Sequence, residues 1–145
     1  KFGGHAMAAG LSLREDQFDA FAAAFEQVGK EWLTPAQLEH VLETDGSLEN
    51  DYCSLDFIRL LEDQVWGQGF PPPVFCDEFR VLNQRLLKER HLKLQLEKNG
   101  REFEAIWFNH ADTLPDKIRA AYRLDINEYN GRSRVQLLVE FAEPA

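Results

Sequence analysis

The spacing of hydrophobic residues follows a helical period in the first half of the chain and a strand period in the second. Phe18, Phe21, Ala22, Phe25, Val28 and Trp32 fall three or four positions apart, as one face of a helix requires. Ser12-Leu13-Arg14-Glu15 ahead of them has the form of a capping box, which predicts the helix start, and the aromatic stripe reads as core. Thr34-Pro35 restarts a short helix carrying Leu38, Val41 and Leu42, with an N-cap and a proline at the first helical position. Asp45-Gly46 turns the chain, and Ser54 caps a further helix through Leu55, Ile58, Leu61 and Val65. Gly67, Gly69 and Pro71-Pro72-Pro73 end helical structure.

Beyond Pro73 the period is two. Phe79 to Leu87 reads as a strand, and Leu92, Leu94 and Leu96 alternate with Lys93, Gln95 and Glu97. Asn99-Gly100 is a strong type I′ hairpin signal and joins that strand to Phe103 through Phe108. Pro115, Ile118 and Ala121 predict a short helix over 114–121, and Tyr122 to Tyr129, Asn130-Gly131 and Val135 to Phe141 predict a second hairpin. Strand-strand-strand-helix-strand-strand is the element order of an OB barrel, a small closed Greek-key fold suited to holding single strands.

Charge follows the same division. The 145 residues carry a net −9, but residues 1–74 hold 4 Lys+Arg against 13 Asp+Glu, while residues 75–145 hold 12 of each. A local cationic face is therefore compatible with the acidic whole. No stretch is long and apolar enough for a membrane helix, and no secretory leader is recognisable. Cys53 and Cys76 are too few for a disulfide framework and have no partner at zinc spacing, which predicts a reduced, cytoplasmic setting.

The chain opens with Gly3-Gly4-His5-Ala6-Met7-Ala8-Ala9-Gly10. Adjacent glycines allow close backbone approach, and amides leading into a following helix make an anion site, with His5 expected on its first turn. Taken alone, His5 is either a phosphate ligand or a helix-start residue with a local hydrogen bond. This octapeptide resembles the Gly-Gly-His motif of the DHH-associated domain in the DHH phosphoesterase superfamily. Trp66-Gly67-Gln68-Gly69-Phe70-Pro71-Pro72-Pro73-Val74-Phe75, followed by Glu78-Phe79-Arg80-Val81-Leu82, is similar to the aromatic-Gly-x-Gly-x-Pro-x-Pro loop and first barrel strand of the RecJ family of bacterial single-strand-specific DNA exonucleases. The chain departs from that family's usual pattern at Val65-Trp66 and Phe70.

The resemblance implies the C-terminal part of a longer enzyme of α+β class: residues 1–50 as the end of a DHH-associated α/β domain, 51–70 as a connecting helix and loop, and 71–145 as an OB-fold β-barrel. It implies that Gly3, Gly4 and His5 hold a DNA phosphate, that divalent metal (Mn or Mg) and catalysis belong to the rest of the parent enzyme, and that this portion alone is inactive. Implied partners are single-stranded DNA and, in repair and recombination, single-strand-binding protein or other repair proteins. Arg85, Lys88, Arg90 and Lys93 cluster around the first barrel turn as candidate phosphate contacts, and Trp107, Tyr122 and Tyr129 are candidate base platforms where they point outward. Trp66 and Phe70 either pack within the protein or stack on a nucleotide. His40, His91 and His110 are scattered, with no pair at metal spacing. Two alternatives compete: an OB-type protein-interaction module with an acidic helical extension, and another DHH phosphoesterase acting on short RNA or cyclic dinucleotides.

Overall fold

A computed structural model describes residues 1–5, 8–39, 41–67 and 69–145. Ala6, Met7, His40 and Gln68 lie outside the described residues. Contacts divide the chain into two compact units, Lys1–Leu42 and Glu43–Ala145, so the triple proline lies inside the second unit.

In the first unit, β1 (Phe2–His5) and β2 (Ala8–Leu11) form an antiparallel hairpin that pairs Gly3 with Gly10 and Gly4 with Ala9. This corrects the expectation of a helix start after the glycines. Gly4 is needed for the close approach, since a Cβ there would lie 2.7 Å from that of Ala9. Ser12 caps nothing: the chain enters helix α1 (Phe18–Trp32) through a 3-10 turn at Glu15–Gln17, with Gln17 at the N-cap. The capping box forms one element later, where Thr34 and Gln37 exchange hydrogen bonds at the start of α2 (Pro35–Leu38). The aromatic stripe of α1 was expected in a core, yet none of the helix is buried; Trp32 is 79% exposed and Phe25 70%. The described part of this unit has only a two-stranded hairpin and a single-turn helix besides α1, too little structure to cover that face.

The second unit is a closed five-stranded barrel. Its strands are β3 (Phe75–Leu87), β4 (His91–Lys98), β5 (Arg101–Trp107), β6 (Lys117–Tyr129) and β7 (Arg132–Pro144), in the order β3-β4-β5-β7-β6. All neighbours are antiparallel except β5 and β7. This is the OB architecture. Strand β3 serves both sides of the closure: Phe75 to Arg80 pair with β6, and Arg80 to Leu87 pair with β4, with a register shift between Val81 and Asn83 bending the strand. Both hairpin turns have the backbone that Asn-Gly encodes, with positive φ at Asn99 (51°) and Gly100 (77°), and at Asn130 (50°) and Gly131 (72°). Inside the barrel, Leu92, Leu94 and Leu96 meet Phe79, Phe103, Ile118, Tyr122 and Leu137.

The predicted helix over 114–121 does not form. The Gln84 side chain takes both backbone groups of Leu114, accepting from its N–H at 2.8 Å and donating to its carbonyl at 2.9 Å. From Lys117 the chain is β6, where Ile118, Ala120 and Tyr122 point inward and Arg119 and Arg123 outward. Ile118 and Ala121 share a helical face in the sequence, but strand pairing with β3 and β7 prevails.

A segment the sequence left as turn and loop lies against one end of the barrel. Leu48 and Cys53 enter the core, followed by helix α3 (Leu55–Glu62), which packs on β6 and β7 and buries Ile58. Ser54 caps α3 as expected, its hydroxyl accepting from the Phe57 amide at 3.3 Å; the helix ends at Glu62, short of Val65. The segment is fixed by polar bonds. Asp77, 7% exposed, accepts from the Tyr122 hydroxyl (2.7 Å), Lys98 Nζ (2.6 Å), the Leu48 amide (3.2 Å) and the Ser47 hydroxyl. Arg101 donates to the carbonyls of Asn50 (2.6 Å) and Cys53 (2.8 Å). Burial pushes the Asp77 carboxyl up, but the hydrogen bonds from Lys98, Ser47, Tyr122 and Leu48 together outweigh it and hold the group below its ordinary value. Burial, with the Asp77 carboxylate beside it, drives the Tyr122 phenol far upward, so it stays a donor.

Candidate functional site

Outward-facing residues of five strands meet in a groove of about 810 Å³. Arg85 near the end of β3 stands directly opposite Lys93 on β4, and Glu104 reaches in from β5. Across the second hairpin, Asn127 pairs with Arg134 and Tyr129 with Arg132, and Asn130 at the turn completes the lining. The parity is uniform: residues two apart on each strand share this face, and the intervening ones face elsewhere. The groove thus lies on the face of the second and third barrel strands, between the turns joining strands one to two and four to five. OB folds hold oligonucleotides in that region.

Among the described residues, four cations and one carboxylate line this groove. Glu104 Oε2 lies 3.3 Å from Lys93 Nζ and Oε1 lies 3.5 Å from Arg134 Nη1. Among the described residues, Arg85 and Arg132 have no carboxylate at ion-pair distance. Like charges directly opposite on neighbouring strands, as at Arg85 and Lys93, are unfavourable. The face thus carries a local excess of positive charge.

The residues expected from sequence divide accordingly. Arg85 and Lys93 line the groove. Lys88 and Arg90 are in the turn after β3 and are not among the lining residues; Lys88 has a φ of 51° and the Arg90 amide donates to the Leu87 carbonyl. Tyr129, 74% exposed, faces the groove. Tyr122 is a correction: at 1% exposure, with its hydroxyl bound to Asp77, it has no face for a base. Trp107 is half-buried, packs against the core, and stacks on His110 with 3.6 Å between centroids and 1° between planes, so one of its faces is already covered. Trp66 packs back onto its own helix, donating from Nε1 to the Leu61 carbonyl at 2.8 Å and stacking on Phe70 at 5.3 Å. In the first unit, Gly3, Gly4 and His5 are exposed on β1, and His5 is its last residue.

Arg132, Arg134, Asn127, Asn130 and Glu104 were missed. Asn127 with Tyr129 and Arg132 with Arg134 are i, i+2 pairs on either side of Asn130-Gly131, but the predicted strand began only at Val135, and joining that hairpin and Glu104 to the first turn requires barrel closure. His91 accepts from the Asn109 amide at 3.0 Å and packs edge-on to Phe108, and His40 lies outside the described residues.

Comparison with known proteins agrees with the barrel fold. A family profile described as the RecJ OB domain matches residues 44–140. The chain is 47% identical to the single-stranded-DNA-specific exonuclease RecJ of Dickeya dadantii over 99% of its length and 26% of that protein. Against the Haemophilus influenzae protein of the same name it is 43% identical over 99% of its length and 27% of that protein. It thus spans about a quarter of the curated relatives it matches. The crystal structure of Thermus thermophilus RecJ with Mn2+ superposes with a TM-score of 0.74 at 26% identity, covering all of this chain and 22% of that one. The corresponding Mg2+ complex gives 0.75 at 25% identity, covering all of this chain and 23% of that one. Among the described residues, no group of three or more His, Cys, Asp or Glu side chains is arranged to hold a metal. With a closed barrel of OB order and a family match covering most of its length, the chain belongs to the RecJ OB-domain family.

Proposed function

We propose that the barrel holds single-stranded DNA along its basic groove, as the C-terminal strand-binding part of a RecJ-type exonuclease acting in DNA repair and recombination in the cytoplasm. The observation that carries this reading is that Arg85, Lys93, Arg132 and Arg134 line one groove with one carboxylate among the described residues, with Tyr129 exposed beside them. Phosphates supply the missing negative charge, and an unpaired base offers its face to Tyr129, which a duplex does not. Asn127 and Asn130 add donors and acceptors for the sugar-phosphate chain or for base edges.

In the same reading, Gly3, Gly4 and His5 contact a phosphate nearer the scissile bond in the parent enzyme, with His5 exposed at the end of β1. The strand form of this motif means such a contact uses the imidazole and the edge amides of a hairpin. The divalent metal and the hydrolytic step belong to the remainder of the parent enzyme. The 145-residue chain alone is expected to release no nucleotides from single-stranded DNA with Mn2+ or Mg2+ added.

Fluorescence anisotropy with labelled oligothymidylate tests the binding. Two to four phosphate contacts give a log–log salt slope between about −1.4 and −3, from roughly −0.7 per single-strand contact. Binding without salt dependence, or with no preference for single over double strands, overturns the reading and favours a protein-interaction module.

A further inference from the structure

We infer that Glu104 is a built-in counter-anion of the groove, holding Lys93 and Arg134 until a phosphate takes its place, and that it sets how readily the groove accepts a strand. This rests on the single-strand reading above and extends it to the control of that same site.

Among the described residues, Glu104 is the only carboxylate lining the groove, and it stands at a junction. It also lines a hollow of about 250 Å³ beside Asn83 and Gln95, and another of about 450 Å³ beside Ser133 and Val135. A nucleic-acid backbone crossing this face from one hollow to the other passes Glu104. Each of its oxygens faces a different cation, at 3.3 Å and 3.5 Å, as the two free oxygens of a phosphodiester would. Both distances exceed the 2.7–2.9 Å of tight charge-assisted bonds. The Glu104 side chain is 35% exposed and that of Arg134 60%, so the pairing is partly screened and easily exchanged.

Arg85 and Arg132, without acidic partners among the described residues, supply the first attraction. Lys93 and Arg134 join only when an incoming anion competes successfully with Glu104. A small anion has little to offer in that exchange. A polyanion already held at Arg85 and Arg132 presents its next phosphate at high effective concentration. The carboxylate thus tilts the groove towards extended strands and away from isolated anions.

The test is Glu104→Gln in the 145-residue chain, with fluorescein-labelled oligothymidylate as probe and a thermal melt to confirm folding. Removing one negative charge a few ångströms from a phosphate is expected to tighten binding about three- to tenfold at low salt, for an effective dielectric between surface and bulk values. Freeing up to two cations should steepen the salt slope by about 0.7 to 1.4. Glu104→Asp keeps the charge on a shorter arm and is expected to tighten binding less than Glu104→Gln does. Tighter binding with Gln than with Asp therefore separates loss of charge from loss of reach. Lys93→Gln should also cost more affinity in the Glu104→Gln background than in the wild type, since Lys93 is then no longer neutralised. A folded Glu104→Gln protein that matches wild type in affinity and slope overturns this inference alone. A wild-type chain with no salt-sensitive binding overturns the single-strand reading and this inference with it.

Discussion

Replacing Asp77 with Asn tests how the segment preceding α3 is held to the barrel. The carboxylate is 4% exposed at its side chain and accepts four hydrogen bonds; Lys98, its ion-pair partner at 2.6 Å, is 11% exposed. Asn keeps the shape but removes the charge, so the buried Lys98 ammonium loses its counter-ion, and the new amide NH2 is set against groups that donated to the carboxylate. Breaking one side of a buried ion pair costs about 3–5 kcal/mol. With a urea m-value of about 1.5 kcal/mol per molar, the unfolding midpoint of the barrel should fall by about 2–3 M. Lys98→Met should cost less, about 1.5–3 kcal/mol, because three donors still serve the carboxylate. The double variant should cost less than the sum of the two. Urea titrations followed by far-UV circular dichroism and tryptophan fluorescence measure all three.

Acid titration gives a second reading of the same cluster. The folded carboxyl sits below its unfolded value, so its contribution is fully present above the ordinary Asp range, near about pH 4. It is lost as pH falls through the lowered folded value. The wild type should therefore lose stability on the acid side of about pH 4 more steeply than Asp77→Asn does. A midpoint shift under about 0.5 M in urea, or equal acid slopes for the two proteins, would refute the argument.

Four further outcomes are expected. Tyr122→Phe should destabilise the barrel by about 1–3 kcal/mol, through loss of a hydrogen bond to a carboxylate, while leaving oligothymidylate affinity unchanged. Tyr129→Ala should do the reverse, weakening binding by about 1–3 kcal/mol in anisotropy with an unaltered melt. Arg85→Gln and Arg132→Gln should each reduce the magnitude of the salt slope by about 0.7, and Lys88→Gln, which is not among the lining residues, by less. In hydrogen exchange followed by mass spectrometry, residues 1–42 should exchange ahead of the barrel strands, since α1 has no buried residue; equal protection in both units would contradict this.

Local chemistry was legible in the sequence where one short segment decides the outcome. Asn99-Gly100 and Asn130-Gly131 adopt the backbone their residues favour, Ser54 and Thr34 cap the helices that follow them, and the alternation of Leu92, Leu94 and Leu96 faces the core as its period requires. Features settled by distant partners were not legible. The stretch from Leu114 became loop and strand because Gln84, 30 residues away, takes its backbone groups. The stripe of α1 has the pattern of a core without one among the described residues. Half the groove was visible as the cluster around the first turn. The other half appears only when β5 pairs with β7 in parallel and β6 with β3, the connections that sequence periodicity does not specify.

The attachment of residues 45–54 bears on how this barrel is transplanted or trimmed. A polypeptide beginning at Pro71 keeps every barrel strand and looks complete by strand count. It lacks the Asp45 side chain that accepts from the Val74 amide, the Gly46 carbonyl that accepts from Cys76, and the side chains of Leu48 and Ile58. It also retains Asp77, Lys98 and Arg101 after removing several of their partners, so polar groups formed for a sealed interior face water or one another. The smallest cassette that carries its own closure therefore starts near Glu43, and a graft of the strands alone inherits an open end.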